Sequence, residues 1–186
     1  MEEQTLKNLV ESFKKSTYKK VTRNDNSYQQ LYDFTSQELN RYLEMYSKVV
    51  AEDQTAREIR NRIDDLIRRY QKYAIKERHG SHYREAGVVE KNSIFEHVIP
   101  QNNIRDMLIS GLLTIDQALN SPTCLVKKSS DLILAENGLV TTSPDNWKFF
   151  KRYSVLNSTF TTFNGQTIPD IENWTLADHF KMFNID

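Results

Sequence analysis

Two adjacent residues carry the chemistry worth testing first: Glu96 and His97, in the run Phe95-Glu96-His97-Val98-Ile99-Pro100. A carboxylate can hold a hard divalent cation through oxygen, and an imidazole can take up a proton near neutral pH. The pair sits in an apolar stretch with the composition of a β-strand, directly before a proline and the polar turn Gln101-Asn102-Asn103. Neighbours on a strand face opposite ways, so a surface carboxylate beside a half-buried imidazole is the competing explanation.

The elements that must position this pair follow from the patterning. Ser93 to Val98 reads as a short strand, and Asn103 to Ser110 as a short helix closed by Gly111. Thr114-Ile115-Asp116-Gln117 reads as the capped start of a second helix, ending near Asn120. Ser121-Pro122 turns the chain into a second strand, Thr123 to Val126, and Ser129 is a candidate N-cap for a helix through Ala135 that stops at Asn137-Gly138.

That order of strand, long helical loop, strand and helix, with Glu96-His97-Val98-Ile99-Pro100 ending the first strand and Leu125 to Leu134 covering the second strand and helix start, resembles the HNH or His-Me finger endonucleases. The resemblance covers residues 91–153 and leaves out the first half of the chain. It implies a ββα-metal fold and metal-dependent hydrolysis of phosphodiester bonds, in DNA before RNA. It implies His97 as general base and Glu96 as metal ligand. Asp131 falls where the family commonly has a His or Asn ligand; a carboxylate there still suits Mg²⁺ or Mn²⁺, although it also reads as a first-turn acid favoured by the helix dipole. The family's loop asparagine falls on Asn120, with Asn103 or Asn102 as alternatives, each equally readable as a turn or cap residue. One divalent ion is the expected cofactor. With Cys124 as the only cysteine, the four-cysteine structural zinc of many family members cannot form.

Residues 1–79 read as helical. Leu6, Leu9, Val10 and Phe13 recur at helical spacing, a polar loop spans Lys19 to Ser27, and Thr35-Ser36-Gln37-Glu38 reads as a capping box opening a second helix at Leu39. A third helix, Gln54 to Arg78, sets Ile59, Ile63, Leu66, Ile67 and Tyr70 on one face and Arg57, Arg60, Arg62, Arg68, Arg69, Lys72, Lys76 and Arg78 on the other. Arg68, Arg69 and Lys72 are therefore candidate phosphate contacts, against a solvated ion-paired face. Arg152, amid Trp147, Phe149, Phe150 and Tyr153, is a further candidate, as is Arg105; the aromatics there could stack on bases or form core. His79, His82 and His179 read as structural or surface residues.

The expected organisation is α+β and mostly helical: a helical region over 1–79 for DNA binding or dimerisation, an HNH-like core over 80–155, and a C-terminal extension over 156–186. With 25 basic and 25 acidic residues among 186, net charge does not announce a nucleic-acid partner. The acidic, amphipathic start lacks the form of a secretory signal, and no run suits a membrane span, so a cytoplasmic location is expected. A homodimer would let two sites cut both strands, and the small size suits a restriction enzyme or a phage or mobile-element nuclease. The alternatives are a catalytically degenerate HNH-like protein that binds DNA or regulates, and a helical interaction module.

Overall fold

The computed structural model describes residues 25–186, and its chain falls into two compact units that meet between Ala74 and Ile75. The expected amphipathic segment at Leu6 to Phe13 lies outside the described residues. The fold is α+β and mostly helical. No helix among the described residues is long and apolar enough to cross a membrane.

In the first unit, helix α1 (Asp25–Tyr46) packs on helix α2 (Gln54–Tyr70). α1 runs unbroken through Thr35, where the sequence suggested a start. The Thr35 hydroxyl bonds back to the Leu31 carbonyl at 2.7 Å, one turn earlier, so it is spent inside the helix and is no cap. α2 buries Ala56, Ile59, Ile63, Leu66, Ile67 and Tyr70, which recur at i, i+3, i+4 and i+7 as an amphipathic helix requires. The Tyr70 ring meets Tyr32 edge-on at 6.0 Å.

A π-helical stretch, Gln71–Lys76, and one further turn, Glu77–His79, extend the helical run. Gly80 ends it at φ +79°, where a Cβ would also stand 2.9 Å from the Arg84 guanidinium.

The second unit is built on four strands, β1 (Tyr83–Glu85), β2 (Ser93–His97), β3 (Thr123–Lys127) and β4 (Phe160–Thr162), in spatial order β2-β3-β1-β4. β2 and β3 are antiparallel with Phe95 opposite Leu125 and Glu96 opposite Cys124, β1 and β3 are parallel, and β4 is antiparallel to β1. Between β2 and β3 come helix α3 (Gln101–Ile109) and helix α4 (Ile115–Leu119), which is capped at Thr114 as its sequence predicts, through a capping box with Gln117. Helix α5 (Lys128–Glu136) follows β3 directly and packs on β2 and β3. It begins one residue before the expected cap at Ser129, because the buried carboxylate of Glu85 holds its start: it accepts from the Lys127 N–H at 2.8 Å and the Ser130 hydroxyl at 2.8 Å.

A 3₁₀ segment, Phe149–Leu156, supplies the main aromatic core. Phe149, Phe150 and Tyr153 are all fully buried, Phe150 against Tyr83 and Tyr153 stacked on Phe160 at 5.2 Å. Three of the aromatics read as candidates for base stacking are thus core, and only Trp147 is exposed.

Residues 156–186 are no appended extension. They contribute β4 and helix α6 (Leu176–Phe183), which opens with a capping box between Thr175 and Asp178. His179 of α6 is fully buried, and its hydrogen-bond roles are fixed by its partners. A carbonyl can only accept, so Nε2–H donates to the Asn120 carbonyl at 2.8 Å, and Nδ1 accepts from the Tyr83 hydroxyl at 2.9 Å. The Tyr83 oxygen in turn accepts from Trp174 Nε1 at 3.1 Å.

Candidate active site

Strand alternation divides the sheet into two faces. Glu96 shares one with Tyr83, Glu85, Cys124 and Phe160, the face covered by α5 and the 3₁₀ segment; Phe95 and His97 share the other with Leu125 and Arg84.

Glu96 is 13% exposed and forms an ion pair with Arg152, Nη2 to Oε2 at 2.8 Å. Arg152 is 1% exposed, and its guanidinium also donates to the carbonyls of His97 (2.8 Å), Val98 (3.1 Å) and Val140 (2.8 Å). A planar fork with several donors suits such convergent acceptors better than an ammonium would. Arg152 therefore clamps the end of β2 from inside the fold, and being buried it is not the exposed phosphate contact its charge suggested.

Burial pushes the Glu96 carboxyl above the ordinary range; Arg152 opposes the rise and the charge of Asp131 adds to it. Asp131 lies half-buried in the first turn of α5, the helix that packs on β2. The hairpin and its following helix bring the two proposed ligands to one region although 35 residues separate them in the chain. Mg²⁺ commonly takes one or two protein carboxylates, with waters and phosphate completing its shell. Carboxylate oxygens are hard donors, and Cys124 adds no soft one, since it is buried and its thiol is pushed well up by burial. Among the described residues no group of three or more His, Cys, Asp or Glu side chains is arranged to hold a metal.

His97 ends β2, half-buried, with its ring edge-on to Phe95 at 5.6 Å. Its side chain leaves the strand on the face opposite Glu96, so a phosphate reaching both must straddle the strand end, where Arg152 fixes the backbone.

No family model matches this chain, and no curated protein or solved structure matches it either.

The remaining candidates separate from this cluster. Asn120 donates its amide to the Asp116 carbonyl and carboxylate at 3.1 and 3.0 Å, closing α4, and its own carbonyl receives His179; it is not turned to His97 by any of these bonds. Of the alternatives, Asn103 bonds Asn146 at 2.9 Å, and Asn102 is exposed. Arg105 is buried beside Asp106 at 2.8 Å. Arg68, Arg69 and Lys72 belong to the first unit: Arg68 and Lys72 are exposed, and Arg69 reaches Asp65 at 3.3 Å. His82 and His179 are buried structural residues and His79 stacks on Phe163 at 4.5 Å, as the structural reading expected.

Missed from sequence was the support for the site. Glu85 ties β1 to the start of α5 and to Ser158 at 3.0 Å, and its only local signal is an acid in a short alternating stretch. On the His97 face, Lys76, Gly80, Ser93, Phe95 and Leu125 line a pocket of about 270 Å³.

Proposed function

We propose that this chain is a metal-dependent endonuclease that hydrolyses phosphodiester bonds, on DNA, in the cytoplasm. The observation that carries this reading is the packing of α5 on β2, which sets Asp131, in the first turn of the helix, against the strand whose last two residues are Glu96 and His97. Glu96 and Asp131 would hold one Mg²⁺ or Mn²⁺ ion. Bound there, the ion supplies Lewis-acid neutralisation of charge on the phosphate and leaving oxygen. His97 takes a proton from the attacking water. Arg152 lends the site its rigidity, since it holds the His97 carbonyl and the Glu96 carboxylate in one grip. Arg68, Arg69 and Lys72 of the helical unit supply salt-sensitive phosphate contacts.

A second reading has an observation of its own. One oxygen of Glu96 is occupied by Arg152, and no third metal-ligating side chain joins the pair among the described residues. A protein that binds DNA on a degenerate finger without cutting it would carry that arrangement.

Nicking of supercoiled plasmid with Mg²⁺ or Mn²⁺, with and without EDTA, separates the two. Cleavage abolished by EDTA, by His97→Ala and by Asp131→Ala is the expected result. Undiminished cleavage by His97→Ala overturns the assignment, and binding with no cleavage under any metal favours the second reading.

A further inference from the structure

The pocket on the His97 face has a composition the phosphodiester reaction does not by itself require. Phe95 forms its aromatic wall, Leu125 its aliphatic one, and Lys76 stands at the ring with Nζ 5.3 Å from the Phe95 centroid. Gly80 keeps the wall thin, for a Cβ there would meet Arg84 Nη2 at 2.9 Å and Leu125 Cδ1 at 3.4 Å. At about 270 Å³ the space falls just short of the roughly 300–1,000 Å³ typical of drug-sized ligands, so it suits a single flat ring system. Phe95 lies two residues from His97 on the same face, their rings in contact.

Aromatic, lysine and adjacent imidazole are the parts a single nucleotide needs: a surface for its base, a cation for its phosphate and a group for the next phosphate along. Every base has a π-face, so stacking on Phe95 would be indifferent to sequence. Lys76, exposed and flexible, now covers the ring and can move to the phosphate as a base arrives. In a duplex every base is paired and stacked on its neighbours, and a wall pocket of this kind is reached only by a base that has left the stack.

We propose that this pocket holds one unpaired base of the strand being cut, stacked on Phe95 with Lys76 at its phosphate. The preferred substrate is then single-stranded or locally opened DNA. The proposal rests on the endonuclease reading, and its test is chosen to fail separately from it.

A short oligothymidylate carrying one 5-iodouracil is irradiated with the full chain in EDTA, where no cleavage occurs, and the adduct is located by mass spectrometry. An adduct at Phe95 is expected. Its yield should fall about tenfold or more in Phe95→Leu, whose thermal midpoint reports whether the fold is intact, and Lys76→Glu, at an exposed position, should weaken single-strand binding and flatten its salt dependence. Adducts only at other residues, an unchanged yield in Phe95→Leu, or duplex binding as tight as single-strand binding each overturn the proposal. Loss of the Phe95 adduct with metal-dependent nicking intact sinks the pocket alone, whereas the adduct without any nicking sinks the nuclease reading alone.

Discussion

Arg152 and Glu96 form an ion pair at 2.8 Å that is almost wholly withdrawn from water, and the two Nη groups of the arginine also donate to three backbone carbonyls. Removing one partner of such a pair leaves the other buried and uncompensated, which costs about 3–5 kcal/mol. Arg152→Met should therefore lower unfolding stability by that amount in a denaturant titration, and raise the Glu96 carboxyl further, since Arg152 is what now opposes the rise caused by burial. A loss under about 1 kcal/mol would show that the clamp is not structural.

Acid should unfold the second unit through its buried histidines. Burial holds His179 down at about 3, and His82 well below its ordinary value. The unfolded chain takes up these protons near pH 6.5. Folded stability is thus fully present above that pH and lost as pH falls from about 6.5, for His179 toward about 3 at roughly 1.4 kcal/mol per pH unit. Denaturant midpoints measured across this window should fall with pH, and the slope should lessen in His179→Phe, which cannot bond Tyr83 or Asn120 but takes up no proton either. An equal slope in both proteins would rule out His179 as a source.

Cys124 lies at the centre of the sheet with no exposure, and burial raises its thiol well above the usual range. Only the thiolate reacts readily. A thiol reagent such as dithionitrobenzoate should leave the native protein unlabelled over hours and titrate one thiol at once in denaturant. Rapid labelling of the native state would mean that β3 opens locally.

Glu85 receives Lys127 N–H, Ser130 Oγ and Ser158 Oγ, and lies 3.4 Å from Lys127 Nζ. Glu85→Ala strands these donors and should cost about 2–4 kcal/mol, combining charge-assisted bonds with unmet buried donors. Because this carboxylate holds the start of α5, the same variant should depress metal-dependent nicking by displacing Asp131. Normal stability in Glu85→Ala would remove Glu85 from that supporting role.

The middle of the chain was legible because its signals are local. The cap at Thr114 and the glycines after α3 and α5 act over a few residues, and β2 and β3 stand where their composition puts them. β1 and β4 are three residues each and take their identity from pairing partners far along the chain, so no periodicity could announce them. The Thr175 to Asp178 capping box that opens α6 is a signal of the same local kind. Thr35 matched the same pattern, but an uninterrupted apolar stripe through Leu31, Phe34 and Leu39 carried the helix past it. In the site, the strand pair followed by a helix is legible, and it places α5, with Asp131 in its first turn, against β2. Arg152 was misjudged because a basic residue among aromatics is described equally by a surface and by a core, and its acceptors lie 12 and more residues away.

The parallel pairing of β1 with β3, and the cover that β4 and α6 give β1, bear on how this unit could be moved or shortened. A segment ending at residue 155 would keep Glu96, His97, Asp131 and Arg152 but bare one edge of β1 and strip Tyr83 of Trp174 and His179. The chemistry of the centre is thus not a transplantable cassette. Fusions or grafts built on the hairpin and helix alone would inherit the candidate reacting groups without the closure that makes them rigid, and a working minimal version has to carry the chain on through α6.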